Sequence, residues 1–193
     1  MKNTFYSFIA LFSGLYLQAQ ELALGGVAVE QDGKQVVQFR GTSIVELESK
    51  PFSIQFVNRK YTEDQPYAAK VWVSLEKIKG SLEGKAIDDL PFLSPGTGWA
   101  TEIGDAKHYL QPSNEGHHYL FYETPTERNI QKIGNWDAWD IFEWTIDGIY
   151  YKEKELSFKE AKLKNIYIYV VIDLNLDGEI DPSEHHLFEI KLK

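Results

Sequence analysis

The chain contains no cysteine, which excludes disulfide bonds and a lipid anchor on a cysteine side chain. It also contains no Asn-x-Ser/Thr glycosylation site. Lysine and arginine form no long basic stripe, so nucleic acid and anionic membrane surfaces are poor partners for this acidic chain. Core packing must therefore supply the stability that disulfide bonds give to other exported proteins.

Sequence motifs of the common enzyme classes are also missing. There is no Gly-x-Ser-x-Gly nucleophile elbow, no phosphate-binding glycine loop and no cysteine nucleophile. We therefore predict a protein that is not an enzyme.

The first residues have the pattern of a secretory signal peptide. Lys2 precedes an apolar run over residues 5–17, and the small residue Ala19 stands just before Gln20 and Glu21. The run is shorter than the roughly 20 apolar residues that a membrane-spanning helix needs, and no later stretch replaces it. We predict a signal peptide over residues 1–19 and a soluble mature protein. Removal of this segment takes away Lys2 and changes the formal net charge from −9 to −10.

The lack of cysteines and glycosylation sites favours export from a bacterium, to the periplasm or the outside. The 193 residues are 43% hydrophobic, which suits one domain over residues 20–193.

Short segments with alternating apolar and polar residues recur along this domain and are separated by Gly, Pro, Asn and Asp. No long helical period occurs between them, so the pattern predicts an all-β, antiparallel β-sandwich, Ig-like or jelly-roll-like, with minor helix. A capping box at Ser157 and residues 126–133 indicate short helical turns. Asp147-Gly148 is a two-residue hairpin signal, and residues 80–104 indicate a surface excursion. The predicted strands are residues 36–40, 44–47, 52–56, 71–75, 118–122, 141–146, 166–172 and 187–192.

One segment between the last two predicted strands has a chemistry that can be named. Residues 173–184 read Asp-Leu-Asn-Leu-Asp-Gly-Glu-Ile-Asp-Pro-Ser-Glu and match the calcium-loop pattern D-x-[DN]-x-[DN]-G-x5-E. Calcium takes six to eight oxygen ligands, which one chain can supply at this spacing. The predicted ligands are Asp173, Asn175 and Asp177 by their side chains, Glu179 by its carbonyl, Asp181 directly or through water, and Glu184 by both carboxylate oxygens.

The loop resembles that of the EF-hand family, including the apolar Ile180 at its eighth position. The resemblance covers twelve of 193 residues, and strands rather than helices are predicted on both sides. It implies calcium binding without the helix opening of calcium sensors. We therefore expect a static, structural calcium site.

An acidic turn without metal is the alternative, since Asp, Asn and Gly are common in β-turns. A chance match to every constrained position is expected on the order of once in a thousand such chains. Calcium binding is therefore the favoured interpretation.

Five tryptophans, eleven tyrosines and eleven phenylalanines suggest a second hypothesis, a glycan-binding or adhesion module. Trp136, Trp139 and Trp144 form the densest group and stand beside Asn and Asp residues that suit sugar hydroxyls. Packing of the three rings in the core is the simpler interpretation. Another exported protein is a further candidate partner.

A third hypothesis is a small carboxylate-dependent hydrolase, for which Glu143 beside Trp144 is a candidate residue. The pairs His117-His118 and His185-His186 do not indicate a transition-metal site, because adjacent residues of a strand face opposite sides.

Overall fold

The computed structural model describes residues 22, 26–38, 40–59, 69–74, 77, 79–87, 130–151 and 154–193. These residues form eleven β-strands and one short helix, α1 (Phe158–Ala161). The strands are β1 (Val27–Gln31), β2 (Lys34–Gln38), β3 (Gly41–Leu47), β4 (Phe52–Arg59), β5 (Ala69–Ser74), β6 (Ile130–Trp136), β7 (Trp139–Ile146), β8 (Gly148–Tyr151), β9 (Lys154–Ser157), β10 (Asn165–Ile172) and β11 (His185–Leu192).

The strands form three sheets. One has the order β2-β1-β4-β7-β6, the second has the order β3-β11-β10-β5, and β8 pairs with β9 in the third. The prediction of an all-β protein is confirmed. Most pairs are antiparallel as expected, but β3 runs parallel to β11, from Gly41 opposite His186 to Leu47 opposite Leu192.

Seven of the eight predicted strands correspond to strands of the structure, with ends that differ by a few residues. The eighth, at residues 118–122, lies outside the described residues. The predicted helical turn at residues 126–133 is wrong where the structure describes it, because residues 130–133 belong to β6. Pairing of β6 with β7 supplies the backbone hydrogen bonds that a short helix would otherwise make.

The predicted hairpin at Asp147-Gly148 is also wrong. The strands on its two sides pair in different sheets, β7 with β4 and β6, and β8 with β9. Gly148 is required for a different reason: a Cβ atom at this position would lie 2.3 Å from the carbonyl oxygen of Leu156 in the paired strand. The Asp-Gly hairpin lies instead at Asp32-Gly33, where φ angles of 54° and 72° suit a tight turn between β1 and β2.

The capping box at the start of α1 is confirmed. The Ser157 hydroxyl accepts from the Glu160 amide at 3.3 Å, and the Glu160 carboxylate accepts from the Ser157 amide at 2.9 Å. Lys162 ends the helix with a left-handed backbone conformation (φ 52°). Thus α1 is a single turn that leads from β9 towards β10.

One cluster of buried apolar side chains contains residues of both larger sheets. Phe56 and Phe142, on neighbouring strands of the five-stranded sheet, stack with ring centroids 6.2 Å apart. Phe188, on the four-stranded sheet, belongs to the same cluster. Within β10 the even-numbered residues, such as Ile168, belong to this cluster. Tyr169 and Val171 face the opposite side and belong to a second cluster with Leu82, Ile87, Ile180 and Leu187. Both faces of β10 are therefore covered, as its continuous apolar sequence predicts.

Among the described residues, no helix has the length and apolar character needed to cross a membrane. The predicted signal peptide, residues 1–19, lies outside the described residues.

Candidate metal centre

Residues 173–184 connect β10 to β11, the position that the sequence predicts. Asp173 follows the last residue of β10, and Glu184 precedes the first residue of β11. The Ile172 amide donates to the Glu184 carbonyl at 2.8 Å and closes the base of the loop. The first and last predicted ligands are therefore held together by the strand pair.

The Asp173 carboxylate is buried, with 6% of the residue exposed. Its Oδ1 accepts from the Leu176 amide at 2.6 Å, and its Oδ2 accepts from the Gly178 amide at 3.1 Å. These bonds fold the first half of the loop around the carboxylate. A carboxylate has about four acceptor positions, so the group keeps acceptor capacity for a cation.

Glu184 is even more buried, with 1% of the residue exposed. Its Oε1 accepts from the Leu174 amide at 2.6 Å, and its Oε2 accepts from the Asp181 amide at 3.0 Å. Both carboxylate oxygens are thereby turned towards the loop backbone. Glu184 joins the two halves of the loop across its base.

Asn175, Asp177 and Asp181 form the exposed part of the loop. The Asn175 Nδ2 donates to Asp177 Oδ2 at 2.8 Å and to Asp181 Oδ2 at 3.2 Å. An amide group thus lies between two carboxylates, where a cation would also be attracted. Metal binding by Asn175 requires its Oδ1, so the amide would have to exchange its donor for its acceptor.

The backbone makes a sharp turn at Gly178, where φ is 78°, a conformation that glycine adopts without strain. Leu176 also has a positive φ of 62°. The Glu179 side chain is exposed, and its amide donates to Asp177 Oδ1 at 2.8 Å.

Ile180 points into the protein, and 1% of it is exposed. Its backbone pairs with residues 84–87: the Ile180 amide donates to the Lys85 carbonyl at 3.0 Å, and the Gly84 amide donates to the Ile180 carbonyl at 2.8 Å. The Ile87 amide donates to the Gly178 carbonyl at 2.8 Å. The loop is therefore attached to a second segment of the chain.

Residues 84–87 were not predicted to contact the loop, because they belong to the surface excursion predicted over residues 80–104. The described part of that excursion, residues 80–87, is not wholly on the surface, because Leu82 and Ile87 are buried against Ile180. Two isolated apolar residues, Leu82 and Ile87, are a weak signal of burial. Hydrophobic periodicity reports only on nearby residues, so it cannot predict their contact with a loop about ninety residues later.

Burial raises the pKa of Asp173 above its ordinary value, and the nearby Asp177 charge acts in the same direction. Hydrogen bonds from the Gly178 and Leu176 amides act against burial and lower the pKa. Among the described residues, no lysine or arginine forms an ion pair with Asp173, Asp177, Asp181 or Glu184. Backbone and amide dipoles therefore stabilise these carboxylates without cancelling their negative charges.

In the described part of the chain, no three or more His, Asp or Glu side chains are grouped closely enough to hold a metal ion. The two buried carboxylates are in place at the base of the loop, whereas Asp177 and Asp181 are joined through Asn175. A cation would therefore require local movement of the exposed side chains.

The three predicted ligand-binding tryptophans do not form one surface. Trp136 and Trp139 lie opposite each other at the end of the β6–β7 pair, and both are half-buried. Trp144 is fully buried in the core, on the other face of β7 from Trp139. The structure therefore removes Trp144 from the predicted ligand-binding residues, because its ring has no accessible face.

Glu143 and the histidine residues, where the structure describes them, also point in different directions. Glu143 faces away from Trp144, and its Oε2 accepts from Gln55 Nε2 at 2.7 Å. His186 is buried while His185 is partly exposed, which agrees with opposite faces for adjacent residues. His117 and His118 lie outside the described residues.

Comparison of the chain with family models, with curated proteins and with solved structures gave no match.

Replacement of Ile180 by alanine tests whether this side chain anchors the loop. We expect the free energy of unfolding to fall by about 2–4 kcal/mol, because the change leaves a cavity between the loop and residues 82–87. Denaturant unfolding of Ile180→Ala and of Ile44→Ala measures the difference. Ile44 is 59% exposed, so the same deletion there should cost under about 1 kcal/mol. Equal losses in both variants would contradict the anchoring role.

The raised pKa of Asp173 predicts a pH dependence in the metal-free protein. The folded state holds the Asp173 proton more tightly than the unfolded state, so stability present below about pH 4 is lost as the pH rises through the folded pKa. In Asp173→Asn this loss is absent, so its unfolding free energy should rise relative to wild type as the pH increases above about 4.

Urea unfolding in chelator at several pH values measures this slope. Glu179→Gln removes one exposed negative charge from the same loop and is the matched control. Unfolding free energies of wild type and Asp173→Asn that change in parallel with pH would contradict this prediction. They would show that ionisation of the Asp173 carboxylate does not reduce the stability of the fold.

Proposed function

We propose that this protein is an exported, non-catalytic calcium-binding β-protein in which the ion stabilises the loop over residues 173–184. The observation that carries this proposal is the burial of two carboxylates, Asp173 and Glu184, at the base of the loop. No described lysine or arginine balances them. Burial of uncompensated charge is costly, and a divalent cation removes that cost.

The donor set suits calcium better than a transition metal, because every predicted ligand is an oxygen atom. Asp173, Asn175, Asp177 and Glu184 would bind through side chains, and Glu179 through its carbonyl. Asp181 would bind directly or through water. The exposed positions of Asn175, Asp177 and Asp181 support this assignment, since these side chains can turn towards an ion without repacking the core. Magnesium should compete poorly, since it demands a small and regular octahedral site.

We also propose that the two larger sheets pack face to face as a β-sandwich, which the mixed composition of the main core cluster supports. The signal-peptide pattern of residues 1–19 in the sequence supports export to the periplasm or the outside. Extracellular calcium modules often bind in roughly the 10⁻⁴ to 10⁻³ M range, and we propose the same range here.

Calcium titration calorimetry, combined with chemical unfolding, tests the proposal. We expect one calcium ion per chain and a stabilisation of about 2.7 kcal/mol at a free calcium concentration of 100 times Kd. The double variant Asp173→Ala with Glu184→Gln should lose both the heat of binding and the stabilisation. Glu179→Gln should keep both, because its predicted ligand is the backbone carbonyl.

Hydrogen exchange supplies a second readout that a fortuitous surface ion would not change. The Gly84 and Ile87 amides donate to loop carbonyls, so calcium should slow their exchange in wild type but not in the double variant. A wild-type protein that gives no heat with calcium and unchanged exchange would identify the loop as an acidic turn.

Glycan binding is the second candidate function, now limited to Trp136 and Trp139. Both rings are partly exposed at the end of β6–β7, and alternation places them on the same sheet face as the polar Glu143. A glycan that binds there should quench tryptophan fluorescence in wild type and in Phe142→Leu, a core control, but much less in Trp136→Ala. Quenching that is equal in Trp136→Ala would exclude this surface.

A further inference from the structure

Lysine side chains surround a surface cavity of about 370 Å³ on the side of the protein that carries α1. Lys50, Lys159, Lys162 and Lys193 line the cavity, and Glu48 contributes an opposing charge. The chain as a whole carries a net charge of −9, so this concentration of positive charge does not follow from composition. The lysines would attract an anion to the cavity, in contrast to the negative net charge of the chain.

Three separate segments of the chain bring these lysines together. Lys50 lies between β3 and β4, Lys159 and Lys162 lie on and just after α1, and Lys193 follows β11. Hydrogen bonds connect two of the segments directly, because the Ser49 hydroxyl donates to the Lys193 carbonyl at 2.7 Å and the Lys193 amide donates to the Leu47 carbonyl at 2.9 Å. The cavity is thus a product of the fold.

The wall that carries Lys50 is fixed by a buried side chain. Gln31 Nε2 lies 3.1 Å from the carbonyl oxygens of Glu48 and Lys50, and Gln31 Oε1 accepts from the Glu48 amide at 2.8 Å. The opposite wall is α1, which Phe158 attaches to the core by stacking on Phe52 at 5.6 Å. Fixed walls lower the entropy cost of binding.

Two of the four lysines already have acidic partners. Lys193 Nζ lies 2.6 Å from Glu46 Oε2, and Lys50 Nζ lies 2.5 Å from Asp32 Oδ2. Lys159 and Lys162 are exposed and form no ion pair with any described residue. They are therefore the lysines with charge available for a ligand.

We propose that this cavity binds a small ligand that carries two or more sulfate or phosphate groups. Ammonium groups are compact point charges with three donors each, which suit tetrahedral oxyanions. Two ammonium groups with charge available, on Lys159 and Lys162, suit two anionic groups on one ligand better than a single one. The volume is within the range of small-molecule sites.

Titration calorimetry at low ionic strength, in the presence of calcium, tests this proposal with two probes. Sucrose octasulfate represents a sulfated sugar, glucose 1,6-bisphosphate represents a phosphate ester, and neutral sucrose is the blank. We expect one molecule of at least one anionic probe per chain, with weaker binding as salt is added. The probe that binds identifies the source of the anionic groups, and binding of both indicates recognition of charge alone.

The variant Lys159→Gln with Lys162→Gln should weaken binding about tenfold. The control, Lys77→Gln with Lys79→Gln, makes the same change of charge at two exposed lysines that do not line the cavity, and its Kd should stay within about twofold of wild type. Equal weakening in both variants, or no binding of either anionic probe at about 10 mM, would overturn the proposal. Loss of calcium binding in the loop variants would leave these results unchanged, so the two proposals fail separately.

Discussion

The antiparallel pair of β10 and β11 is the constraint on which the rest of the described structure depends. Its inner face contributes Ile168 and Phe188 to the main core, and its outer face contributes Val171 and Leu187 to the second cluster. The pair also fixes β3 and β5 as its two neighbours. Residues 173–184 join the two strands, so the strand pairing fixes the positions of the two ends of the loop.

The strand pairing also determines the environment of the two acidic residues at the base of the loop. The strand pair forces Asp173 and Glu184 into a buried position, where hydrogen bonds from the loop amides stabilise the charged carboxylates but do not neutralise them. Apolar residues at these positions would avoid the cost of burying charge, but they would leave the Leu176 and Asp181 amides without acceptors. The proposed cation would meet both requirements, since it would compensate the charge and keep the acceptors in place. The same argument explains the attachment to residues 84–87, which holds the outer part of the loop while the inner part is held by strands.

The sequence predicts those features that depend on neighbouring residues. The alternation of Phe52, Ile54 and Phe56, the apolar run of β10 and the capping box of Ser157 are local, and all of them are confirmed. Features that depend on distant backbone approach are not visible in the sequence. In the sequence, Gly148 looks like a turn residue. In the structure, a glycine is required there because a side chain would clash with the carbonyl group of Leu156. The parallel pairing of β3 with β11 and the pairing of Ile180 with Lys85 have no local signature at all.

The acidic loop and the lysine cavity lie at opposite ends of the β10–β11 pair. The loop joins the end of β10 to the start of β11, whereas Lys193 follows β11 and α1 precedes β10. Eight residues of strand separate them, which corresponds to about 25 Å at 3.3 Å per residue. This distance exceeds the Debye length of about 8 Å at physiological ionic strength, so a cation at one end changes the potential at the other very little. Charges of opposite sign are thus separated along one strand pair, so the proposed cation and the proposed anionic ligand would not compete with each other.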